Sequence, residues 1–304
     1  TPGLIKCLEV SETWKVLAKN VLIKRWKGKM LEACKSGETK VVQLLLEHCN
    51  SKESGLNTKD QRGWTALMWA CQNGDKNVVK LLLDHSEKIE LNARDNYGGT
   101  AFMIACANGH KDVVKLILEH SSIELNTRSI TGDTAFISAC HEGHKDVVKL
   151  LLDHPNLNIE LNARNNIGST AFMWACLNGH KDVVKLFLDN SERIDLNAKG
   201  YYFNCTALHL ACMDGHKDVV QLLLDHSESN IELNAKDAFG GTAFRLACCH
   251  GNKDIVKLLL DHYERIELNA RDDDGETPFM SACMNGHKDV VKLLLDHSER
   301  IEMN

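Results

Sequence analysis

The 304-residue chain has few prolines, few aromatic residues and no long apolar run. It contains only three prolines, which excludes a collagen-like or proline-rich linker protein, and only 6% aromatic residues. No apolar run approaches the ~20 residues of a membrane-spanning helix, so we do not expect the chain to cross a bilayer. With 43% hydrophobic and 26% charged residues, its composition is that of a folded chain rather than a disordered one.

Charge is distributed unevenly along the chain. The net charge of −6 at pH 7 argues against general nucleic-acid binding. Residues 1–30 carry a net charge of +5, and the remaining residues therefore carry −11. Apolar residues at helical spacing, including Trp14, Leu17 and Trp26, predict a basic amphipathic helix over residues 11–27. We expect it to cap the segment that follows; the alternative is a helix that binds a membrane surface or a partner groove.

A repeat of 34 to 37 residues organises the rest of the chain. Each copy begins with a threonine and reads Thr-Ala-Phe-Met-x-Ala-Cys-x-Asn-Gly-His-Lys-Asp-Val-Val-Lys-Leu-Leu-Leu-Asp-His, with substitutions. The threonines are Thr65, Thr100, Thr134, Thr170, Thr206, Thr242 and Thr277. From each threonine to the third leucine of the apolar run is always 18 residues, whereas the following connection varies from 16 to 18. Constant spacing indicates packed helices, and variable spacing indicates loops.

Each unit is predicted to contain two short helices and an extended loop. The first helix runs from about Thr100 to Asn108, where Gly109 ends it, and the second from about Lys111 to His120. The segment Ile-Glu-Leu-Asn that follows predicts an extended strand entering a turn. One unit cannot bury its apolar face alone, so neighbouring units must stack.

Eight of the twelve cysteines recur at one register of this repeat. They are Cys34, Cys71, Cys106, Cys140, Cys176, Cys212, Cys248 and Cys283. A disulfide needs Cα atoms within about 7 Å, whereas like positions of stacked units lie roughly 10 Å apart. We therefore expect buried free thiols, which favour a reducing compartment, the cytoplasm or the nucleus.

The unit resembles the ankyrin repeat, whose first helix carries Thr-Pro-Leu-His-x-Ala. The closest forms here are Thr277-Pro278-Phe279-Met280 and Thr206-Ala207-Leu208-His209, and Gly-His-x-x-Val-Val-x-Leu-Leu-Leu matches the family well. The resemblance covers residues 28–304. It implies an all-α-dominated repeat solenoid of stacked helix-turn-helix units with β-hairpin-like loops. The domains would be a cap over 1–27, a degenerate first repeat over 28–59, and seven repeats over 60–304, the last uncapped. The longer period predicts longer loops or a longer second helix.

The resemblance implies a non-catalytic scaffold that binds another protein, as an extended or helical segment, on the concave face formed by loop tips and first helices. No cofactor and no nucleic-acid partner is expected, and membrane contact only through residues 11–27. Residues that vary between repeats are candidates for recognition. Apolar residues at the tips and near the ends of the first helices, together with a Tyr-Tyr-Phe loop, favour an interaction patch. The predicted partner-binding residues are Tyr97, Ile167, Leu177, Tyr201, Tyr202, Phe203, Met213 and Phe239. The alternative is that the tip aromatics pack only on neighbouring loops.

Three other hypotheses remain: a metal or enzyme site, a place in a larger protein, and a modification of recurring asparagines. The cluster of His209, Cys212, Cys248, Cys249 and His250 is the one place where a metal or enzyme site would be sought, although repeated histidines roughly 10 Å apart cannot share one zinc ion. The recurring histidines are instead expected to bond the backbone and to suit helix ends. The chain would also fit the ankyrin region of a larger channel, kinase or ubiquitin-ligase adaptor.

A recurring Leu-Asn in each loop suggests a modification. In ankyrin proteins the matching asparagine can be β-hydroxylated by an oxygen-sensing asparaginyl hydroxylase, and the candidates here are Asn92, Asn126, Asn162, Asn197, Asn234 and Asn269. The alternative is that each side chain holds the loop backbone.

Overall fold

The computed structural model describes residues 12–26, 28–48, 55–154, 158–200, 203–226 and 230–303. Helices account for all the regular structure in these ranges. A helix at Glu12–Trp26 precedes eight pairs of helices. The first helices of the pairs are Met30–Lys35, Ala66–Asn73, Ala101–Ala107, Ala135–His141, Ala171–Leu177, Ala207–Met213, Ala243–Cys249 and Pro278–Met284. The second helices are Thr39–His48, Lys76–Leu83, Lys111–Leu118, Lys145–Leu152, Lys181–Leu188, Lys217–Asp225, Lys253–Asp261 and Lys288–Leu295.

A threonine begins nearly every first helix. The Thr100 hydroxyl accepts a hydrogen bond from the Met103 backbone N–H at 3.3 Å, and Thr65, Thr134, Thr170, Thr242 and Thr277 accept the same bond in their repeats. The bond satisfies one of the N–H groups that a helix leaves unpaired at its first turn. A glycine such as Gly109, with φ of 71°, follows the helix and lets the chain reverse into the second helix.

The chain divides into two compact units, residues 1–130 with 150–159, and residues 131–149 with 160–304. In the first unit, the first helices at Met30–Lys35, Ala66–Asn73 and Ala101–Ala107 pack side by side, and their second helices do the same. In the second unit, the five first helices from Ala135–His141 to Pro278–Met284 pack in order. Each unit is therefore a solenoid-like array of helix pairs.

The core of each repeat comes from both helices. Ala175, Cys176, Val183 and Val184 are fully buried, and the same positions are buried in most other repeats. In one repeat Phe187 replaces the usual leucine or isoleucine, and its ring packs against Phe172 with centroids 5.4 Å apart. Dense packing of small and branched side chains lets the two helix layers approach closely.

The cysteine register behaves as predicted at seven of its eight positions. Seven of these thiols are buried and free, but Cys283 is exposed. The prediction is wrong for Cys283 because it lies in the last repeat, and no further described repeat covers it. Burial raises the pKa of the Cys34 thiol to about 12, and it raises that of Cys176 further. The buried thiols are therefore inert small apolar residues.

The predicted strand is absent from the described residues, and both helices are slightly shorter than predicted. The segment after each second helix forms turns. In two repeats the extra residues form short 3-10 helices, Ser86–Lys88 and Ser191–Arg193, rather than a longer second helix. Neighbouring loop tips exchange one backbone hydrogen bond rather than the ladder that a sheet requires.

The N-terminal helix packs against Thr39–His48. Leu22 is buried and Trp26 half-buried, but Val16, Leu17 and Val21 are exposed. Only part of the apolar surface of this helix is therefore buried, whereas an amphipathic cap would bury its whole apolar face. In the described part of the chain, no helix has the length and apolar character needed to cross a membrane.

Candidate functional site

Five of the loop tips are each shaped by one acidic or amide side chain. The Asp237 carboxylate accepts hydrogen bonds from the backbone N–H groups of Phe239 and Gly241, both at 2.8 Å. Asp60, Asp95, Asn165 and Asp272 make the equivalent bonds in their own loops. Such an Asx turn projects the residue two positions later outward, and we call that residue the tip residue.

Neighbouring tips are joined through the backbone. The Asp273 N–H donates to the Phe239 carbonyl at 2.9 Å, and the Ala238 N–H donates to the Phe203 carbonyl at 2.7 Å. The bond from Ala238 joins the loops of Phe203 and Phe239, whose rings lie side by side with centroids 5.2 Å apart and planes tilted by 39°. The two rings nevertheless remain 48% and 53% exposed. The tip aromatics therefore do pack on each other, and they also leave a large apolar area open to solvent.

The loop of Phe203 departs from the others in its backbone. The Gly200 N–H donates to the Cys205 carbonyl, which closes a turn one residue longer than the Asx turns. Within the described residues, Phe203 and Asn204 are the two non-glycine residues with positive φ, both at 55°. A left-handed conformation is unfavourable for a bulky side chain, and such strain occurs often at functional sites. Tyr201 and Tyr202, which were predicted to bind a partner, lie outside the described residues.

The first helices add two further rows beside the tips of the second unit. Leu177, Met213 and Cys249 are half-buried at the seventh residue after the capping threonine. A second row, which the sequence reasoning missed, stands at the fourth residue: Trp174, Leu210 and Leu246 are half-buried too. A comparison of this position across the repeats would have identified the row, because the neighbouring repeats have serine at the same position, Ser138 and Ser281.

Together these residues form a grid of nine apolar side chains on three consecutive repeats. We call it the apolar face, and it consists of Ile167, Trp174, Leu177, Phe203, Leu210, Met213, Phe239, Leu246 and Cys249. At the same registers the repeat before it has Thr131, Ser138 and His141, and the repeat after it has exposed Asp274, buried Ser281 and exposed Met284. The apolar face is thus bounded at both ends by repeats that are more polar.

Trp174 lies at the edge of the apolar face. Its ring contacts His141 edge-on, with centroids 4.7 Å apart, and its buried indole N–H has no hydrogen-bond acceptor in the described structure. Trp69, at the same register in the first unit, donates its indole N–H to Asp60 at 3.1 Å. The repeat of Trp174 has Asn165 at the position of Asp60, and the amide of Asn165 donates to Asp133 instead.

At the third residue after the capping threonine, two repeats of the apolar face carry polar residues where four others have methionine and one has isoleucine. His209 is buried; its Nδ1 accepts from the Thr206 N–H and hydroxyl, so Nε2 carries the proton and donates to the Gly241 carbonyl at 3.2 Å. Burial lowers the pKa of His209 against the opposing effects of the Gly241 carbonyl and Asp237. Arg245 forms a buried ion pair with Asp272 at 3.3 Å. These contacts tie each repeat to the next and fix the loops that carry the tips.

Tyr97, the remaining predicted binding residue, belongs to the first unit. It is a tip residue and is exposed. Ile130, which precedes the tip residue of the next loop, is exposed too, and its N–H donates to the Tyr97 carbonyl at 2.9 Å. The first-helix positions that belong to the repeat of Tyr97 are Ile104, which is buried, and Ala107. Tyr97 therefore has an exposed apolar neighbour in the adjacent loop, Ile130, and no large exposed apolar side chain on the first helix of its own repeat.

The asparagine of each loop holds the loop of the following repeat. The Asn234 amide donates to the Arg265 carbonyl, and its oxygen accepts from the Glu267 N–H, both at 2.9 Å. The same two bonds are made by Asn57, Asn92, Asn162, Asn197 and Asn269. Asn126 donates to the Asn158 carbonyl. The predicted backbone contact is therefore present, and it links repeats. Hydroxylation of these residues stays a proposal, and it requires the loop to leave this contact.

The recurring histidines bond the backbone, as predicted. The Nε2 of His216 donates to the Leu177 carbonyl of the preceding repeat at 2.7 Å, and His110, His180 and His287 make the equivalent bond. At helix ends, His85, His262 and His297 donate to the carbonyl four residues earlier. Over the part of the chain that the structure describes, no three His, Cys, Asp or Glu side chains form a group suited to a metal ion. The cluster around His209 and Cys248 is included in that search.

A family model described as ankyrin repeats (3 copies) matches overlapping segments of the chain. They are residues 30–129, 121–200, 158–237, 192–272 and 227–304, which together cover far more than half of the sequence. No protein with a curated description matches the chain.

Proposed function

Because the chain belongs to the ankyrin-repeat family, we propose that it is a non-catalytic scaffold that binds a segment of a partner protein on the apolar face. Ankyrin repeats generally serve as protein-protein interaction modules. The observation that carries this proposal is the grid of nine apolar side chains on three consecutive repeats, of which Phe203 and Phe239 are about half exposed. Buried free cysteines support a reducing compartment, the cytoplasm or the nucleus.

Energy at such interfaces is concentrated in a few large side chains. Aromatic anchors near the centre of a patch typically contribute 2 kcal/mol or more each when they are truncated. Phe203 stands in the middle repeat of the apolar face, with Phe239 stacked beside it. Replacing both with alanine should therefore weaken binding of a true partner by more than ~100-fold.

The test is affinity capture from cytosol with the parent chain, the Phe203→Ala/Phe239→Ala variant and a matched control. The control is Tyr97→Ala/Ile130→Ala, which removes two exposed apolar side chains of neighbouring loops that are likewise joined by a backbone bond, but in the first unit. Thermal unfolding of all three proteins establishes that they fold. A protein retained by the parent and the control but lost by the double phenylalanine variant supports the proposal. Equal retention by all three would move the binding site away from the apolar face.

A further inference from the structure

The border of the apolar face carries carboxylates. Asp273 and Asp274 are exposed at the tip that follows Phe239, Asp214 is exposed beside Met213, and Glu276 is half-exposed. Of all the loops, only that of Asp273 and Asp274 places two acidic residues at its tip. Neither carboxylate has an ion-pair partner within the ranges that the structure describes.

Exposed lysine and arginine are missing from the tip and first-helix positions of the same surface. From Ile167 to Asn285, no lysine or arginine occupies the tip positions or the fourth, seventh and eighth residues after the capping threonines. The one nearby arginine on a first helix, Arg245, is only 12% exposed and is neutralised by Asp272. The ammonium groups of Lys199 and Lys236 are held by loop carbonyls of the following repeats, at 3.0 and 3.2 Å. Lys199 and Lys236 keep their charge at the sides of the loops, but the tip and first-helix positions around the apolar face carry carboxylates and no exposed lysine or arginine, so their complement is a positively charged partner.

The spacing of the repeats selects the conformation of that partner. Packed helices lie about 10 Å apart, so the three rows of apolar residues recur at about that interval. In an α-helix, residues seven apart lie on one face and are separated by about 10.5 Å. In a β-strand, side chains on one face recur about every 6.6 Å, which does not match the repeat. Three rows across three repeats thus fit a helix of about 15 to 20 residues with apolar side chains at every seventh position.

We propose that the occupant of the apolar face is a basic amphipathic helix of a partner protein, with its lysine and arginine residues beside Asp214, Asp273 and Asp274. This inference rests on the proposed function and specifies the partner class of the same site. The apolar side chains supply most of the affinity, and the carboxylates select a basic helix and set its direction along the repeats.

The test uses a display library of random peptides of about 18 residues, selected on the parent chain. The expected result is enrichment of peptides with apolar residues seven apart and an excess of lysine and arginine. Their affinity should fall about tenfold for the Asp214→Asn/Asp273→Asn/Asp274→Asn variant, and more steeply with salt for the parent than for that variant. A matched control is Asp182→Asn/Asp218→Asn, which removes two exposed carboxylates on second helices that pair with Lys145 and Lys181.

The outcomes separate the two proposals. Neutral or acidic selected peptides, unchanged affinity of the asparagine variant, or no enrichment of any peptide would overturn the inference of a basic helix. Peptides that bind the Phe203→Ala/Phe239→Ala variant as well as the parent would instead refute the apolar face as the site. Sedimentation of the parent gives one more check, because its own basic N-terminal helix exposes Val16, Leu17 and Val21. Self-association that is lost in the Phe203→Ala/Phe239→Ala variant would show that a second copy of this chain occupies the apolar face. It would overturn the proposal of a separate partner protein.

Discussion

Replacing Asn234 with alanine removes both hydrogen bonds by which one loop holds the next. The amide donates to the Arg265 carbonyl and the oxygen accepts from the Glu267 N–H, each at 2.9 Å. A hydrogen bond contributes about 1 kcal/mol net, so the variant should lose about 2 kcal/mol of coupling between the two repeats. Since stability in repeat proteins depends on the interfaces between neighbours, this loss should act locally on the opening of the loop.

The conservative variant separates the two bonds. Asn234→Asp keeps an oxygen that accepts from the Glu267 N–H but replaces the amide donor with a second oxygen facing the Arg265 carbonyl. We expect its Glu267 amide to stay protected from hydrogen exchange, whereas Asn234→Ala should exchange about 30-fold faster, which corresponds to about 2 kcal/mol.

The assay is amide hydrogen exchange read residue by residue, with urea unfolding as the measure of total stability. The control is Asn190→Ala, because Asn190 donates only to the Leu186 carbonyl of its own repeat. Its loss should leave the protection of inter-repeat amides unchanged. If Glu267 is equally protected in the parent and in Asn234→Ala, the link between repeats contributes nothing and the reasoning is wrong.

Three further predictions concern single residues. Burial lowers the pKa of His209, so the folded state favours its neutral form and stability should fall as pH drops below about 6.5, the pKa of histidine in the unfolded chain. His209→Met should show a smaller fall of stability in urea unfolding between pH 7 and pH 5, and identical pH profiles would contradict the effect of burial on this pKa. Asn204→Gly should raise the free energy of unfolding by up to ~1 kcal/mol, and with it the melting temperature, because glycine adopts a φ of 55° without strain. A lower melting temperature would show that contacts of the asparagine side chain outweigh the backbone strain. Alkylation followed by mass spectrometry should modify exposed Cys283 in the native chain and buried Cys176 only after unfolding, and rapid modification of Cys176 would refute its burial.

Local patterns made much of the fold predictable. The threonine caps, the glycines between helices and the apolar run of each second helix act within a few residues, and they recur at constant spacing in the seven repeats from Thr65 to Thr277. Burial of seven register cysteines followed from the same periodicity, whereas Cys283 was wrong because burial depends on the next repeat. The predicted strand failed for a related reason: extended segments become a sheet only if their neighbours offer a full ladder of hydrogen bonds.

The candidate site was only partly visible in the sequence. Variation between repeats pointed to Phe203, Phe239 and Met213, because exposed positions are free to change. It missed Trp174, Leu210 and Leu246, although their register also varies between repeats, because an apolar residue on a short first helix has the pattern of a core residue and only the packing of neighbouring helices leaves it half-exposed.

The sequence by itself determined the repeat, the two helices of each unit and the family, because these depend on local spacing and on side-chain type. Only the tertiary structure decided which side chains meet across repeats. The Asn234 amide finds its acceptor 31 residues later, and Phe203 stacks on a ring that stands 36 positions further along the chain. Such contacts arise from the stacking distance and the turn geometry of whole repeats, and no local window of sequence contains both partners.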